Sequence, residues 1–149
     1  MIKPEDLRIG DLVRVSRDCM FPKGTMCIVT DINPLKVSKD KKGVVSLSAI
    51  NDDDDGPWGA WCCNIEGIPL TPELLGKNGF KEEQHQKEGT SEWYDFYHYD
   101  HDINVVYEVG EKENIFAAYL HGEKLREIKY VHKLQHILWA LGLNAELKV

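Results

Sequence analysis

The amino-acid sequence predicts an α+β fold in two parts, a barrel-like β module over residues 1–70 and an α+β module over residues 71–149. Before residue 70, short apolar runs alternate with Gly, Pro, Asn and Asp, as in strands joined by tight turns. After residue 90, apolar runs alternate with short polar connections, which is typical of an antiparallel meander. Near the end of the chain the apolar period becomes helical, which predicts a helix that closes over the meander.

The first module is expected to contain four strands. Val44–Ile50 is typical of a half-buried strand, because Val45, Leu47 and Ala49 fall on one face and two serines on the other. The other expected strands are Leu12–Val15, Met26–Ile32 and Trp61–Ile65. Together with the lead-in Ile9-Gly10-Asp11-Leu12-Val13, these strands resemble small SH3-like barrels, a fold that hosts many unrelated functions.

A short helix and a polar segment are expected to link the two parts. Thr71 is a good helix N-cap, Pro72 suits the first turn, and Gly79 is placed to stop the helix. The segment Lys81–Ser91 is rich in Glu, Gln, Lys and Gly and has no apolar period. We predict a solvated, mobile loop there, dispensable for folding.

Four meander strands and a closing helix follow. The strands are expected at Trp93–Tyr99, Ile103–Val109, Ile115–Leu120 and Leu125–Lys129, and the second alternates most clearly. In the helix, Val131, Leu134, Leu138 and Leu141 recur at helical spacing, and Gly142 is placed to end it. His132 and His136 lie opposite that stripe and are expected to be exposed.

Two blocks of sequence resemble those of small uncharacterised proteins from bacterial prophages and mobile elements. They are Ile68–Leu75 with its continuation to Phe80, and Tyr130–His136 with its continuation to Leu141. The resemblance covers most of the chain and implies an accessory, regulatory or host-interaction role. It brings no activity, cofactor or catalytic residue with it.

Charge and cysteine usage narrow the class of protein. Eighteen Lys and Arg against 25 Asp and Glu give a net charge of −7, which argues against a general affinity for nucleic-acid phosphates. No apolar run is long enough to span a bilayer, and the first residues lack the layout of a signal peptide, so we expect a cytoplasmic protein. The four cysteines have no CxxC spacing and are expected to stay reduced and to bind no metal.

The acidic run Asn51–Gly56 places oxygens at the first, third and fifth positions of a calcium loop. Position twelve of such a loop supplies a bidentate acidic ligand, and here that position is Cys62. We therefore predict a solvated acidic turn.

Aromatic residues crowd the first meander strand and predict a protein interface. Such a strand is either covered on both faces or offers a partner surface, because large exposed apolar patches are uncommon on monomers. The predicted contact residues are Trp93, Tyr94, Phe96, Tyr97 and Tyr99. With no catalytic sequence motif present, the leading interpretation is a non-enzymatic accessory protein without a cofactor that binds another protein.

Two alternatives stay open. The first is a metal-dependent enzyme built on His98, Asp100, His101 and His121. An extended backbone, however, would send His98 and His101 to opposite faces, so we expect no convergence and no bound metal. The second is a nucleic-acid-binding module that combines a basic loop with aromatic rings. Its residues are Lys36, Lys39, Lys41, Lys42, Trp58 and Trp61, with Phe21 as a further aromatic.

Overall fold

The computed structural model describes residues 2–17, 19–50, 57–110 and 113–149, so the acidic run at 51–56 lies outside the described residues. The described chain contains two five-stranded antiparallel sheets and two α-helices, which confirms the α+β class. It divides into two compact units, Met1–Ile68 and Pro69–Val149. No helix in the described ranges is long and apolar enough to cross a membrane.

The first unit is a single sheet with two short 3-10 helices, at Pro4–Asp6 and Cys62–Asn64. Its strands are β1 (Leu12–Val15), β2 (Met26–Ser38), β3 (Lys41–Ala49), β4 (Trp58–Trp61) and β5 (Ile65–Gly67), in the order β4-β3-β2-β1-β5. Among the described residues β4 and β5 do not pair with each other, so the sheet is not closed into a barrel. The single strand predicted at 61–65 is wrong, because the second 3-10 helix separates β4 from β5.

The core of the first unit follows the alternation of its strands. In β3, Val45 and Leu47 are fully buried, while the intervening Ser46 and Ser48 are partly exposed, as predicted. Val13, Val15 and other apolar side chains complete the cluster. Burying each large aliphatic side chain contributes about 1.5 to 3 kcal/mol, so this face of the sheet supplies the main stabilisation.

The second unit begins with α1 (Pro72–Lys77), whose N-cap is the predicted one. The hydroxyl oxygen of Thr71 accepts a hydrogen bond from the backbone N–H of Leu74 at 3.3 Å. The sheet that follows contains β6 (Lys81–Glu88), β7 (Ser91–His98), β8 (Ile103–Val109), β9 (Ile115–Leu120) and β10 (Glu123–Ile128). Consecutive strands are neighbours, so the sheet is an antiparallel meander, and α2 (Val131–Ala140) follows it.

The predicted mobile loop at Lys81–Ser91 is wrong. Residues 81–88 form β6, which pairs with β7 from Lys81 opposite Tyr97 to Glu88 opposite Ser91. All eight side chains of β6 are exposed because it is an edge strand, so the sequence has no apolar alternation to show it. Charged side chains on an edge also prevent unwanted strand pairing. Backbone hydrogen bonds to β7, and not burial of side chains, therefore make residues 81–88 a strand.

The closing helix has the predicted apolar stripe, but His132 and Gln135 outside the stripe are buried too, and His136 is only partly exposed. Leu134 and Leu138 are each 1% exposed, and Gly142 has a positive φ of 70° just after the helix. His132 is also 1% exposed and Gln135 2%, so the prediction of an exposed His132 is wrong. The amphipathic pattern is defined by the spacing of apolar residues alone, so it does not predict which polar side chains are buried.

Candidate functional site

The histidines of the predicted metal cluster lie at the turn between β7 and β8. His98 is the last residue of β7, and the backbone N–H of His101 donates to the carbonyl of His98 at 3.2 Å. The two imidazole rings stack, with centroids 4.1 Å apart and planes 10° from parallel. The prediction that they face opposite ways is wrong, because His101 belongs to the turn and not to the strand.

The ring of His98 is held on several sides. The ring of Phe80 meets it edge-on at 5.0 Å, and its Nε2 lies beside Gly79, where a Cβ atom would be only 2.9 Å away. Its Nδ1 is buried without a hydrogen-bond partner. Burial lowers the pKa of His98, and the neighbouring His101 lowers it further. Burial therefore favours the neutral form of His98, and Phe80 and Gly79 hold its ring in one orientation.

His121, another of the predicted ligands, belongs to a separate pair. His121 Nε2 lies 2.8 Å from a carboxylate oxygen of Asp102, whose other oxygen accepts a hydrogen bond from the Tyr97 hydroxyl. The Tyr97 hydroxyl and then His121 lower the pKa of Asp102. Asp100 is exposed in the turn. Within the described ranges no three His, Cys, Asp or Glu side chains are placed to hold a metal ion.

We expect the purified, untagged protein to contain no stoichiometric transition metal. A catalytic metal centre normally has three protein ligands, and the described residues place no three His, Cys, Asp or Glu side chains together to hold an ion. Elemental analysis by mass spectrometry measures this directly. About one zinc, manganese or iron ion per chain, lost in a His98→Ala, His101→Ala double variant, would contradict the expectation.

The stability of the protein is expected to fall as the pH drops below about 6.5, the pKa of an unperturbed histidine. Because the pKa of His98 is lowered in the folded state, the unfolded chain binds that proton first, and protonation then favours unfolding. The free energy of unfolding, measured with urea at several pH values between 5 and 8, should change less with pH in His98→Gln than in the parent. The assignment is refuted if the free energy of unfolding of His98→Gln depends on pH as steeply as that of the parent.

The aromatic strand divides between the two faces of the second sheet. Tyr94 and Phe96 lie on the face that also carries His98. Phe96 is 5% exposed and belongs to the core. Tyr94 is part of a row of rings that crosses four strands, with successive centroids 4.3, 5.7 and 4.6 Å apart. That row consists of His85, Tyr94, Tyr107 and Phe116.

Trp93 and Tyr97 point to the opposite face, where they are partly exposed. The strand register places Asn104 of β8 beside Tyr97 and Tyr119 of β9 on the far side of Asn104, with Val106 and Ala117 in the next row. We call the partly exposed residues Trp93, Tyr97, Val106 and Tyr119 the aromatic face. Tyr99 lies outside it, 59% exposed, with its hydroxyl bonded to Glu83. Sequence reasoning missed Val106 and Tyr119, although alternation along β8 and β9 could have identified them.

The predicted basic loop is the end of the β2–β3 hairpin. Residues 33–42 are all exposed, including its four lysines, and Lys41 lies over the Trp61 ring at 6.0 Å. Trp61 pairs with Val44, while Trp58 pairs with Leu47, so the two tryptophans lie on opposite faces of β4. Phe21 is buried in the core. These aromatic rings therefore do not form one platform.

Two of the four cysteines have thiols that burial makes unreactive. All four are free, and burial raises the pKa of Cys27 and of Cys62 to about 11. A thiol reacts as its thiolate, so these two groups are inert near neutral pH.

Comparison of the chain with protein-family models, curated proteins and solved structures finds no match.

Proposed function

We propose that this chain is a non-enzymatic accessory protein that acts by binding another protein through the aromatic face. The observation that carries the proposal is the partly exposed set of large side chains on one face of β7, β8 and β9. Tyr and Trp are enriched at the centres of protein interfaces, where their rings are buried and their polar atoms keep partners. The chemistry of the face thus favours a protein partner.

Polar groups within the aromatic face already have partners in the free protein. Asn104 donates to Asp95 at 2.9 Å across β7 and β8, and the Tyr97 hydroxyl donates to Asp102. A partner that covers these groups need not leave them unsatisfied, which removes one cost of docking.

The proposal also covers the fold of the first unit. Its strand order β4-β3-β2-β1-β5, with a 3-10 helix before β5, is compatible with the SH3-like arrangement, which we propose for this unit. The sequence resemblance to proteins of prophages and mobile elements favours an accessory setting, and a cytoplasmic location is part of the proposal. A reducing compartment suits the four free cysteines.

A Tyr97→Ala, Tyr119→Ala double variant is expected to weaken partner binding by about 2 kcal/mol or more, the order found when aromatic hot spots are truncated. Proteins that copurify with the parent chain would be identified, purified and titrated against parent and variant by calorimetry. Tyr94→Ala, on the opposite face of the same strand, is the control and should bind like the parent. Melting temperatures would show that each variant is folded.

Equal affinity of the parent and the double variant for the purified partner would exclude the aromatic face as its binding site. Binding of nucleic acid that weakens steeply with salt would instead favour the basic hairpin.

A further inference from the structure

The second unit contains a cavity of about 200 Å³ next to the β7–β8 turn. Its lining combines apolar side chains with the stacked rings of His98 and His101. The apolar contributors are Phe80, Leu138 and Leu147. A water molecule takes up about 30 Å³, so the cavity has room for a molecule of a few heavy atoms.

The wall formed by the segment after α2 is fixed by side-chain hydrogen bonds. The Asn78 amide donates to the carbonyl of Lys148 at 2.9 Å and accepts from the N–H of Lys148 at 2.6 Å. The same amide donates to the carbonyl of Leu74 at 2.7 Å. Further back, Gln135 donates to the carbonyl of Ala145 at 3.2 Å. The cavity is therefore built before any ligand arrives, which reduces the entropy lost on binding.

The polar lining is dominated by donors. The carbonyl oxygen of the Asn144 side chain accepts from the N–H of Glu146 at 3.0 Å, which leaves the NH₂ group of Asn144 as the donor. The lining includes two lysines, Lys77 and Lys148, and one acidic residue, Glu146, and all three are exposed. The excess of positive charge and of N–H groups suits an anion with several acceptor oxygens.

We propose that this cavity binds a small oxyanion, a carboxylate or phosphate group, held by Lys77, Lys148 and His101. His98 is a positioning residue here, because its ring is fixed by Phe80 and supports the ring of His101 by stacking. The site lies within the second unit and uses none of the residues of the aromatic face. It therefore stands or falls independently of the proposed protein interface.

The test is an NMR titration of the full chain with inorganic phosphate and, separately, with acetate, at constant ionic strength. We expect saturable shifts of the amides that surround the cavity. A Lys77→Ala, Lys148→Ala double variant should weaken binding by about tenfold or more, since hydrogen bonds to charged groups are lost. Saturation with phosphate alone would assign a phosphate group, and saturation with acetate as well would assign a general carboxylate and phosphate site.

A Lys87→Ala, Lys124→Ala double variant is the matched control, because it removes the same charge from exposed lysines outside the cavity. Its affinity should stay within about twofold of the parent's, since surface charges are screened. Equal losses in both double variants, or shifts that stay linear for both anions, would overturn the proposal. Melting temperatures of both variants exclude misfolding as the cause of a loss.

Discussion

Replacing Leu138 by alanine is expected to lower the free energy of unfolding by about 2 to 5 kcal/mol. The side chain is 1% exposed, so the substitution removes buried apolar surface and leaves a cavity in a core that relaxes only in part. Leu134, equally buried on the same helix, should give a loss of the same order. The change is measured from the midpoint of urea unfolding. The dependence of the unfolding free energy on urea concentration should be the same in parent and variant.

Leu125→Ala is the matched control for these two substitutions. Leu125 is 42% exposed on β10, and a substitution at such a surface position changes stability by about 0.5 kcal/mol or less. If Leu134→Ala and Leu138→Ala unfold at the same urea concentration as Leu125→Ala, α2 does not contribute to the core.

Gly43→Ala is expected to destabilise the first unit by about 2 to 5 kcal/mol, as the sum of two costs. Gly43 has a φ of +75°, which disfavours any side chain, and a Cβ atom there would lie 2.2 Å from Cγ of Pro4. The clash involves a proline ring, which cannot rotate away, and Cγ of that ring belongs to the buried side of the 3-10 helix at Pro4–Asp6. Thermal and urea unfolding would both record the loss.

Gly24→Ala separates the two costs. Gly24 has a φ of +94°, but a Cβ atom there meets nothing within 4 Å, so only the backbone term of about 1 to 2 kcal/mol applies. An effect of Gly43→Ala no larger than that of Gly24→Ala would show that the N-terminal 3-10 helix moves away at little cost.

Local sequence signals located most of the secondary structure. The bounds expected for β1, β8 and β9 are those observed, because these strands combine apolar alternation with clear turns on both sides. The N-cap at Thr71 was equally predictable, because it needs only a hydrogen bond from the backbone N–H of Leu74, three residues later, to the Thr71 hydroxyl oxygen. Such features depend on neighbours within a few residues of each other.

The candidate sites depended on contacts that no local signal carries. The rings of His98 and His101 stack within a turn that is closed by a hydrogen bond from the His101 N–H to the His98 carbonyl, and Asp102 after it has a positive φ of 51°. Sequence spacing alone does not predict this backbone conformation. The aromatic face follows from the register of three strands, which places Tyr97, Asn104 and Tyr119 in one row across β7, β8 and β9.

The sequence by itself determined the α+β class, the apolar faces of the strands and the stripe on α2, because each follows from the period of apolar residues along the chain. Only the tertiary structure decided that Lys81–Glu88 is a strand and that His132 is buried. The physical reason is the same in both cases. An edge strand is stabilised by backbone hydrogen bonds to the neighbouring strand. A buried polar side chain is stabilised by the groups packed around it. Neither feature produces a periodic pattern of apolar residues in the sequence.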